Sequence, residues 1–421
     1  MKKAINLSNG VQKFVHYNSD LMTAEKLGRV EALRKRYKTA LHHRNREETD
    51  ALEKELISSC EGAVPDYKSS AVKENIEVIV VAIVVALGIR AYFLQPFKIP
   101  TASMQPTLNG IVATAVPDET AFPNPVVRAF QYVARGRNYV DMKVPQDWGT
   151  VQLLSIRQRS TLHFFTVTDL VFADAAQKQR VLTGYVPAKQ LVGDLWIGAK
   201  PSFQGDGFRV IQSGMEKLEV RVTPGSQVWA AGSTVARGFI DTGDQVLVNK
   251  MAYHFRRPDR GEVFVFSTAG IKGITPPEGI DSQHYIKRLT GMPGDTLQLK
   301  PQEANADWRS YPTSVLEVNG KPAQEAGMQR VMARQNGYPG YTTMNGAPQQ
   351  PVGIFGENGE SKHFLQGTEA QTLASRKYMA MGDNSPQSFD SRAWGPVPEE
   401  NLVGPALCVY WPFLPHWGLI R

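Results

Sequence analysis

Three regimes of apolar spacing divide the chain. Between Thr23 and Ile57, the residues Leu27, Val30, Leu33, Tyr37, Ala40 and Leu41 recur at helical spacing and predict helix. From Lys26 to Arg46 there are eight Lys or Arg against one acid, Glu31, and acids then take over through Glu55. Such a segment suits a helix or helical hairpin on a membrane surface, or a short coiled-coil contact with another copy. Glu61-Gly-Ala-Val-Pro65 ends it, while residues 1–20 are polar and unpatterned and are expected to be disordered.

The second regime is continuous rather than periodic. Val78–Ile89 is a run of 12 uncharged apolar residues, and Ile76–Leu94 extends it to 19, with Glu77 and Arg90 near its ends. A bilayer core needs about 20 residues of helix, so the stretch predicts a single membrane span. Arg90 can reach the headgroups, and Tyr92 and Phe93 suit the interfacial belt. It starts more than 70 residues in and no Ala-x-Ala site follows, so it is not read as a cleavable targeting peptide. The basic region before it places the N-terminus in the cytoplasm and everything after about residue 95 outside.

The third regime alternates. Candidate strands are Thr161–Val167, Glu219–Val222, Gln245–Asn249, Glu262–Ser267, Thr296–Leu299, Val315–Val318 and Lys377–Met381, with a turn at Asn319-Gly320. Glu303–Tyr311 and Gly327–Ser361 read as long surface connections. No GxGxxG and no regular strand–helix alternation point to a nucleotide-binding fold. The expected fold class is therefore mainly β, an antiparallel β domain behind an N-terminal transmembrane helix.

Composition narrows the chemistry. The net charge of +7 over 421 residues is modest, and no zinc-finger spacing, RNA-binding strand or arginine tract accompanies it, so nucleic acid is not an expected partner. Two cysteines, Cys60 and Cys408, exclude a disulfide scaffold and a four-cysteine metal site. Opposite sides of a bilayer would keep the two apart. The eight histidines include no HExxH, and His42 and His43 sit in a charged helical pattern. No metal or other cofactor is expected, and hydrolytic chemistry must come from hydroxyl, lysine or carboxylate groups.

One hydroxyl stands out by position. Ser103 lies in Pro96-Phe-Lys-Ile-Pro-Thr-Ala-Ser-Met-Gln-Pro-Thr-Leu108, a few residues beyond the apolar run, where Pro96 and Pro100 argue against continued helix. Three later segments carry compact signatures: Gly243-Asp-Gln-Val-Leu-Val-Asn-Lys250, Tyr285-Ile-Lys-Arg-Leu-Thr-Gly-Met-Pro-Gly-Asp295 and Gly382-Asp-Asn-Ser-Pro-Gln-Ser-Phe-Asp-Ser-Arg392. In this order, after one span, the four motifs resemble those of the bacterial type I signal peptidases, membrane-bound serine proteases that remove signal peptides from exported preproteins. The resemblance covers about 75–110 and 238–421.

That resemblance implies a Ser-Lys dyad, with Ser103 as nucleophile and Lys287 as general base. It implies an oxyanion hole from the Ser103 backbone N–H and the Thr101 hydroxyl. It also implies a supporting set in which Ser388 hydrogen-bonds the lysine and Asp390 pairs with Arg392. A free lysine, with pKa about 10.4, is charged at neutral pH, so Lys287 must be buried to act as base. Tyr285, Ile286, Leu289 and Met292 are candidates for the dry wall. Lys98 and Lys250 are the competing bases, and His284, three residues from Lys287 on a strand, points to the other face. Ala102, where relatives carry glycine, requires a negative φ there. Substrates would be signal peptides bound as an added strand, delivered from membrane lipid.

The chain departs from the family pattern in one large place. About 130 residues, Asn109–Phe239, separate the serine motif from the Gly-Asp strand where relatives have a few, which reads as an inserted β subdomain. A smaller departure is Ser385, where many relatives carry arginine. The expected organisation is a cytoplasmic, partly helical region 1–70, a transmembrane helix 76–94, a nucleophile-bearing segment 95–110, an inserted β-rich subdomain 111–237 and the remaining catalytic domain 238–421. The insert would select preproteins or contact the export machinery or the envelope. The aromatic tail Cys408–Trp417 would dock on the bilayer or close the core. A non-catalytic membrane-anchored peptide-binding scaffold and a self-processing Ser-Lys protease are the rival readings.

Overall fold

The computed structural model describes residues 2–43, 46–64, 71–161, 165–213, 217–225, 227–274, 282–301, 313–342 and 369–420. Two compact units divide it, Met1–Leu87 and Gly88–Arg421. It is a mixed α/β protein rather than a mainly β one, because the first 92 residues are almost wholly helical.

In the first unit, α1 (Lys2–Asn18), α2 (Ala24–His42) and α3 (Arg46–Glu61) share a core of Val11, Val30, Leu33, Tyr37, Leu52 and Leu56. The segment expected to be disordered is thus the helix α1. Its Ala4, Leu7, Val11, Phe14 and Val15 recur at helical spacing but are diluted by polar neighbours. Thr23 caps α2 through the Lys26 N–H. The apolar face of α2, expected on a membrane or in a coiled coil, is consumed inside the unit. The helix α4 (Ala71–Tyr92) follows, and Asn75–Tyr92 is the one helical stretch among the described residues long and apolar enough to cross a membrane, with none of it buried.

In the second unit an eight-stranded sheet carries the elements of interest. Its main strands are β1 (Leu94–Lys98), β2 (Gln245–Asn249), β3 (Val263–Ser267), β4 (His284–Gly291), β5 (Lys377–Met381) and β6 (Leu402–Trp411). The spatial order is β1-β2-β6-β3-β4-β5, continued by Val397–Pro398, with Gly418–Leu419 pairing beside β6. Neighbours are antiparallel, and Phe264 of β3 stands opposite Lys287 of β4. One core packs Phe264, Phe266, Leu289, Tyr378 and Trp394, and another packs Ile99, Met104, Leu108, Val246 and Val265.

β6 is central, yet the sequence reading took its end for part of a tail. Pro405 lies within it opposite Phe264, next to a register shift, and a proline argues against a central strand unless a bulge accommodates it. Gly404 explains the close approach to β2: a Cβ there would stand 2.0 Å from the Asn249 carbonyl oxygen. The expected strand Thr161–Val167 is a junction instead. Val151–Thr161 pairs antiparallel with Phe165–Asp174, Thr161 opposite Phe165, and 162–164 fall outside the described residues. No glycine, proline or asparagine marks this reversal, so β-branched and aromatic residues read straight through it.

Residues between the serine motif and β2 form two sheets. Val112–Ala115 and Arg137–Lys143 both pair with Thr234–Asp241, so the segment leaves and returns on adjacent strands. A five-stranded sheet built on Val151–Thr161, Phe165–Asp174, Gln179–Gly184 and Leu218–Arg221 completes it over a core that includes Leu153, Ile156, Leu170, Phe172, Leu191 and Ile211. A further sheet, Thr296–Pro301 with Thr313–Val318, packs on Met379 and Met381 of β5. The expected connection Glu303–Tyr311 lies outside the described residues. Of Gly327–Ser361, the described part holds the helix Ala326–Met332 and the strand Tyr341–Thr342.

Candidate active site

Ser103 occupies a single 3-10 turn, Ala102–Met104, after an extended Thr101 (φ −119°, ψ 156°). Ala102 takes no positive φ, so the alanine fits where relatives use glycine. The turn is clamped at both ends by Asp244: its carbonyl accepts the Ile99 N–H at 2.9 Å and its carboxylate the Asn109 N–H at 2.7 Å. Below it, Met104 and Leu108 are fully buried.

Lys287 projects from β4, and its Nζ stands 2.6 Å from Ser103 Oγ. Both residues are nearly enclosed, at 5% and 4% exposure. Burial pushes the lysine down to about 8; the Asp390 and Asp383 carboxylates oppose this, and the Arg392 guanidinium reinforces it. Alternation puts Tyr285 and Leu289 on the lysine's side of β4, with the Tyr285 ring centre 5.9 Å from Nζ. Tyr285, Leu289 and Met292 join the Phe264–Trp394 core, whereas Ile286 packs with the other one. The drop from 10.5 to about 8 corresponds to roughly 3 kcal/mol disfavouring the ammonium. A buried amine with no carboxylate in contact is a base at neutral pH in about a tenth of molecules.

The other candidate residues fall around this pair. Thr101 Oγ1 lies 3.3 Å from Ser103 Oγ. Asp390 and Arg392 are fully buried and joined by two contacts of 2.7 and 2.8 Å. Burial alone would raise the Asp390 pKa; Arg392 and the Gly382 N–H at 2.9 Å outweigh it and hold the carboxyl below its usual range. Arg392 also donates to the Ser385 carbonyl at 2.7 Å and to the Thr342 carbonyl, so the pair locks the 382–392 loop. Ser385, the departure from the family pattern, is inside this network, its Oγ accepting the Thr342 N–H at 3.0 Å.

Ser388 is buried beside the pair, and its Oγ stands against Gly382 and the Asp390 carboxylate with no hydrogen bond to Lys287. A Cβ at residue 382 would stand 2.2 Å from that Oγ and 2.5 Å from the Ser103 carbonyl oxygen. Only glycine allows the loop this close to the Ser103 turn. Asn384 completes the seam, giving its N–H to the Ser103 carbonyl at 3.0 Å and its side-chain amide to the Ala102 carbonyl at 3.1 Å.

The competing bases stand elsewhere. Lys250 Nζ donates to the Ala91 carbonyl at 2.8 Å; Lys98 is exposed on β1, and although surrounding atoms desolvate its amine and push its pKa down, it makes no contact with Ser103. His284 packs against Phe97 with the rings tilted, their centres 5.3 Å apart. Among the described residues no group of three His, Cys, Asp or Glu could hold a metal ion, and Cys60 and Cys408 are free thiols.

Sequence reasoning passed over a second buried pair. Arg288 and Asp383 are joined at 2.6 and 2.8 Å with neither exposed; Thr107 Oγ1 donates to Asp383 at 2.5 Å, and Arg288 donates to the Gly261 carbonyl at 2.6 Å. This ties the serine loop, β4 and the 382–392 loop together. The signal was present in the quoted motifs, as the Arg after the lysine, the Asp of Gly-Asp-Asn and the Thr of Pro-Thr-Leu.

The family model "Signal peptidase, peptidase S26" matches residues 72–126 and 232–411. Among curated relatives, signal peptidase I of Leptolyngbya laminosa is 25% identical over 174 residues, which cover 41% of this chain and 63% of the relative. Signal peptidase I of Pseudomonas aeruginosa is 28% identical over 197 residues, covering 41% of this chain and 61% of the relative. Thylakoidal processing peptidase 1 of Arabidopsis thaliana is 25% identical over 174 residues, covering 41% and 38%. The chain thus spans about three fifths of the length of the first two of these relatives. The matched blocks take in more than half of the chain and all four motif segments, and on that ground the chain belongs to the signal peptidase family, peptidase S26.

Proposed function

We propose that this protein is a membrane-bound serine endopeptidase that cleaves signal peptides from exported preproteins by a Ser-Lys dyad. The observation that carries the proposal is the 2.6 Å approach of a buried, pKa-lowered amine to a buried hydroxyl. Neutral Lys287 takes the Ser103 proton as Oγ attacks the scissile carbonyl carbon. The oxyanion that forms is held by the Ser103 N–H and the Thr101 hydroxyl. As the carbon–nitrogen bond breaks, the Lys287 ammonium returns the proton to the leaving amine. Water, deprotonated by the same amine, then hydrolyses the acyl ester.

Asp390 with Arg392, and Arg288 with Asp383, are positioning pairs that fix the loop and strand meeting at the dyad. The helix 76–94 spans the inner, cytoplasmic membrane once, with residues 1–70 on the cytoplasmic side and the catalytic domain outside, on the periplasmic face. Residues 111–237 are an inserted subdomain, a reading supported by the gap of 127–231 in the family match and by the paired strands at its ends. The partners are signal peptides and lipid, with the export machinery as a candidate for the insert. A preprotein-processing assay tests the proposal: Ser103→Ala and Lys287→Ala should each abolish cleavage, and full cleavage by either would overturn the dyad.

A further inference from the structure

The helix α5 (Pro125–Arg135) is amphipathic the wrong way round for a soluble domain. Asn124 caps it through the Val127 N–H at 2.9 Å and Gly136 ends it at φ 64°, so its boundaries are well defined. Val126, Phe130 and Val133, spaced four and three apart, form one stripe. They are 79%, 69% and 55% exposed. The adjoining side, roughly 100° round the helix, meets the protein: Gln131 accepts the Tyr139 hydroxyl at 2.6 Å, and Ala134 is buried.

The C-terminal segment extends this stripe. Trp411 Nε1 donates to the Val133 carbonyl at 2.9 Å, and Leu414 N–H to the Ala134 carbonyl at 2.8 Å. Phe413, Leu414 and Trp417 are themselves exposed. An apolar helix face continuous with exposed aromatics is costly in water and marks a docking surface.

We propose that α5 lies in the lipid interface, its Val126, Phe130 and Val133 stripe inserted beside Phe413, Leu414 and Trp417. Three features favour lipid as the occupant. The C-terminal segment belongs to the same sheet as β1, whose first residue, Leu94, follows two positions after the end of the apolar helix at Tyr92. A lipid surface is therefore always within reach of this domain. Exposed Arg128 and Arg135 sit on the side opposite the stripe, the basic polar face that an interfacial helix turns toward headgroups and water. Trp and Phe at the edge are the residues that interfaces favour. Residues 127–135 fall outside the family-matched blocks, so α5 gives the inserted segment a task of its own: it holds the domain flat on the bilayer from which its substrates emerge.

The inference rests on the reading of 76–94 as a span, and its test separates the two. Single cysteines at positions 130, 126, 128 and 83 (Phe130→Cys, Val126→Cys, Arg128→Cys, Ile83→Cys), in a chain carrying Cys60→Ala and Cys408→Ala, are spin-labelled. The full chain is reconstituted in vesicles of phosphatidylethanolamine and phosphatidylglycerol. Labels at 130 and 126 should be more accessible to oxygen than to a water-soluble nickel chelate, as at 83, and the label at 128 the reverse. A label at 130 open to nickel while that at 83 is lipid-exposed would overturn the inference and leave the span intact. Spin–spin broadening with shielding from both reagents would also overturn it, assigning the face to a second copy. A nickel-accessible label at 83 would overturn the span itself. Proteolysis is not measured, so the outcome is independent of the dyad.

Discussion

Replacing Asp383 by Asn probes how tightly the dyad's supports are held. In the structure both carboxylate oxygens of Asp383 contact the Arg288 guanidinium, and one also accepts the Thr107 hydroxyl, with no exposure of either charged side chain. Asn keeps the shape and one acceptor oxygen but leaves Arg288 as a buried cation with only neutral partners. Breaking such a pair from one side costs about 3–5 kcal/mol. For a domain of this size that lowers the unfolding midpoint by on the order of 10 °C. The Arg376–Glu399 contact, with side chains 71% and 44% exposed, is the matched control, and Glu399→Gln should cost under about 1 kcal/mol. Thermal unfolding of the detergent-solubilised full chain, followed by tryptophan fluorescence, compares the two. A shift for Asp383→Asn no larger than that for Glu399→Gln would refute the claim that this pair is a buried brace.

Other consequences follow from the same geometry. Gly382→Ala must push either Ser388 or the Ser103 carbonyl away, so preprotein processing should fall at least about tenfold while tryptophan fluorescence of the folded chain is retained; undiminished turnover would contradict the packing at that point. Lys287→Met should stabilise the fold near neutral pH. The lowered lysine pKa means the unfolded chain binds the proton more tightly, so the buried amine's cost, roughly 3 kcal/mol, is full below about pH 8 and fades as the pH rises toward the unfolded value. Unfolding midpoints at pH 6.5 and pH 10 (about those values) check it, and a pH-independent difference would count against it. Leu289→Ser wets the wall beside the amine, and the acid limb of the pH–rate profile should then move up toward the free-lysine value.

The site was more legible in the sequence than the architecture around it. Ser103, Lys287, Asp390 and Arg392 lie in short motifs that resemble those of the type I signal peptidases; Lys287 Nζ stands 2.6 Å from Ser103 Oγ, and Asp390 pairs with Arg392. Arg288 and Asp383 were quoted without a role, since a buried ion pair between residues 95 positions apart leaves no local pattern. The strand Leu402–Trp411 was hidden by Pro405, which only a bulge can accommodate. Helix α1 was hidden by low contrast between its faces, and α5 by a stripe that points outward. Local alternation served where one face of a strand meets a core, as in Gln245–Asn249. It failed where turns carry no marker residue, as between Thr161 and Phe165.

The most direct test of the dyad is the pH dependence of kcat/KM for preprotein cleavage by the full chain in vesicles. With Lys287 as a base whose pKa is held at about 8, activity should rise through a single ionisation near that value and level off above it. A profile flat from acid to alkaline pH, or one that rises only at the pKa of a free lysine, would contradict the account.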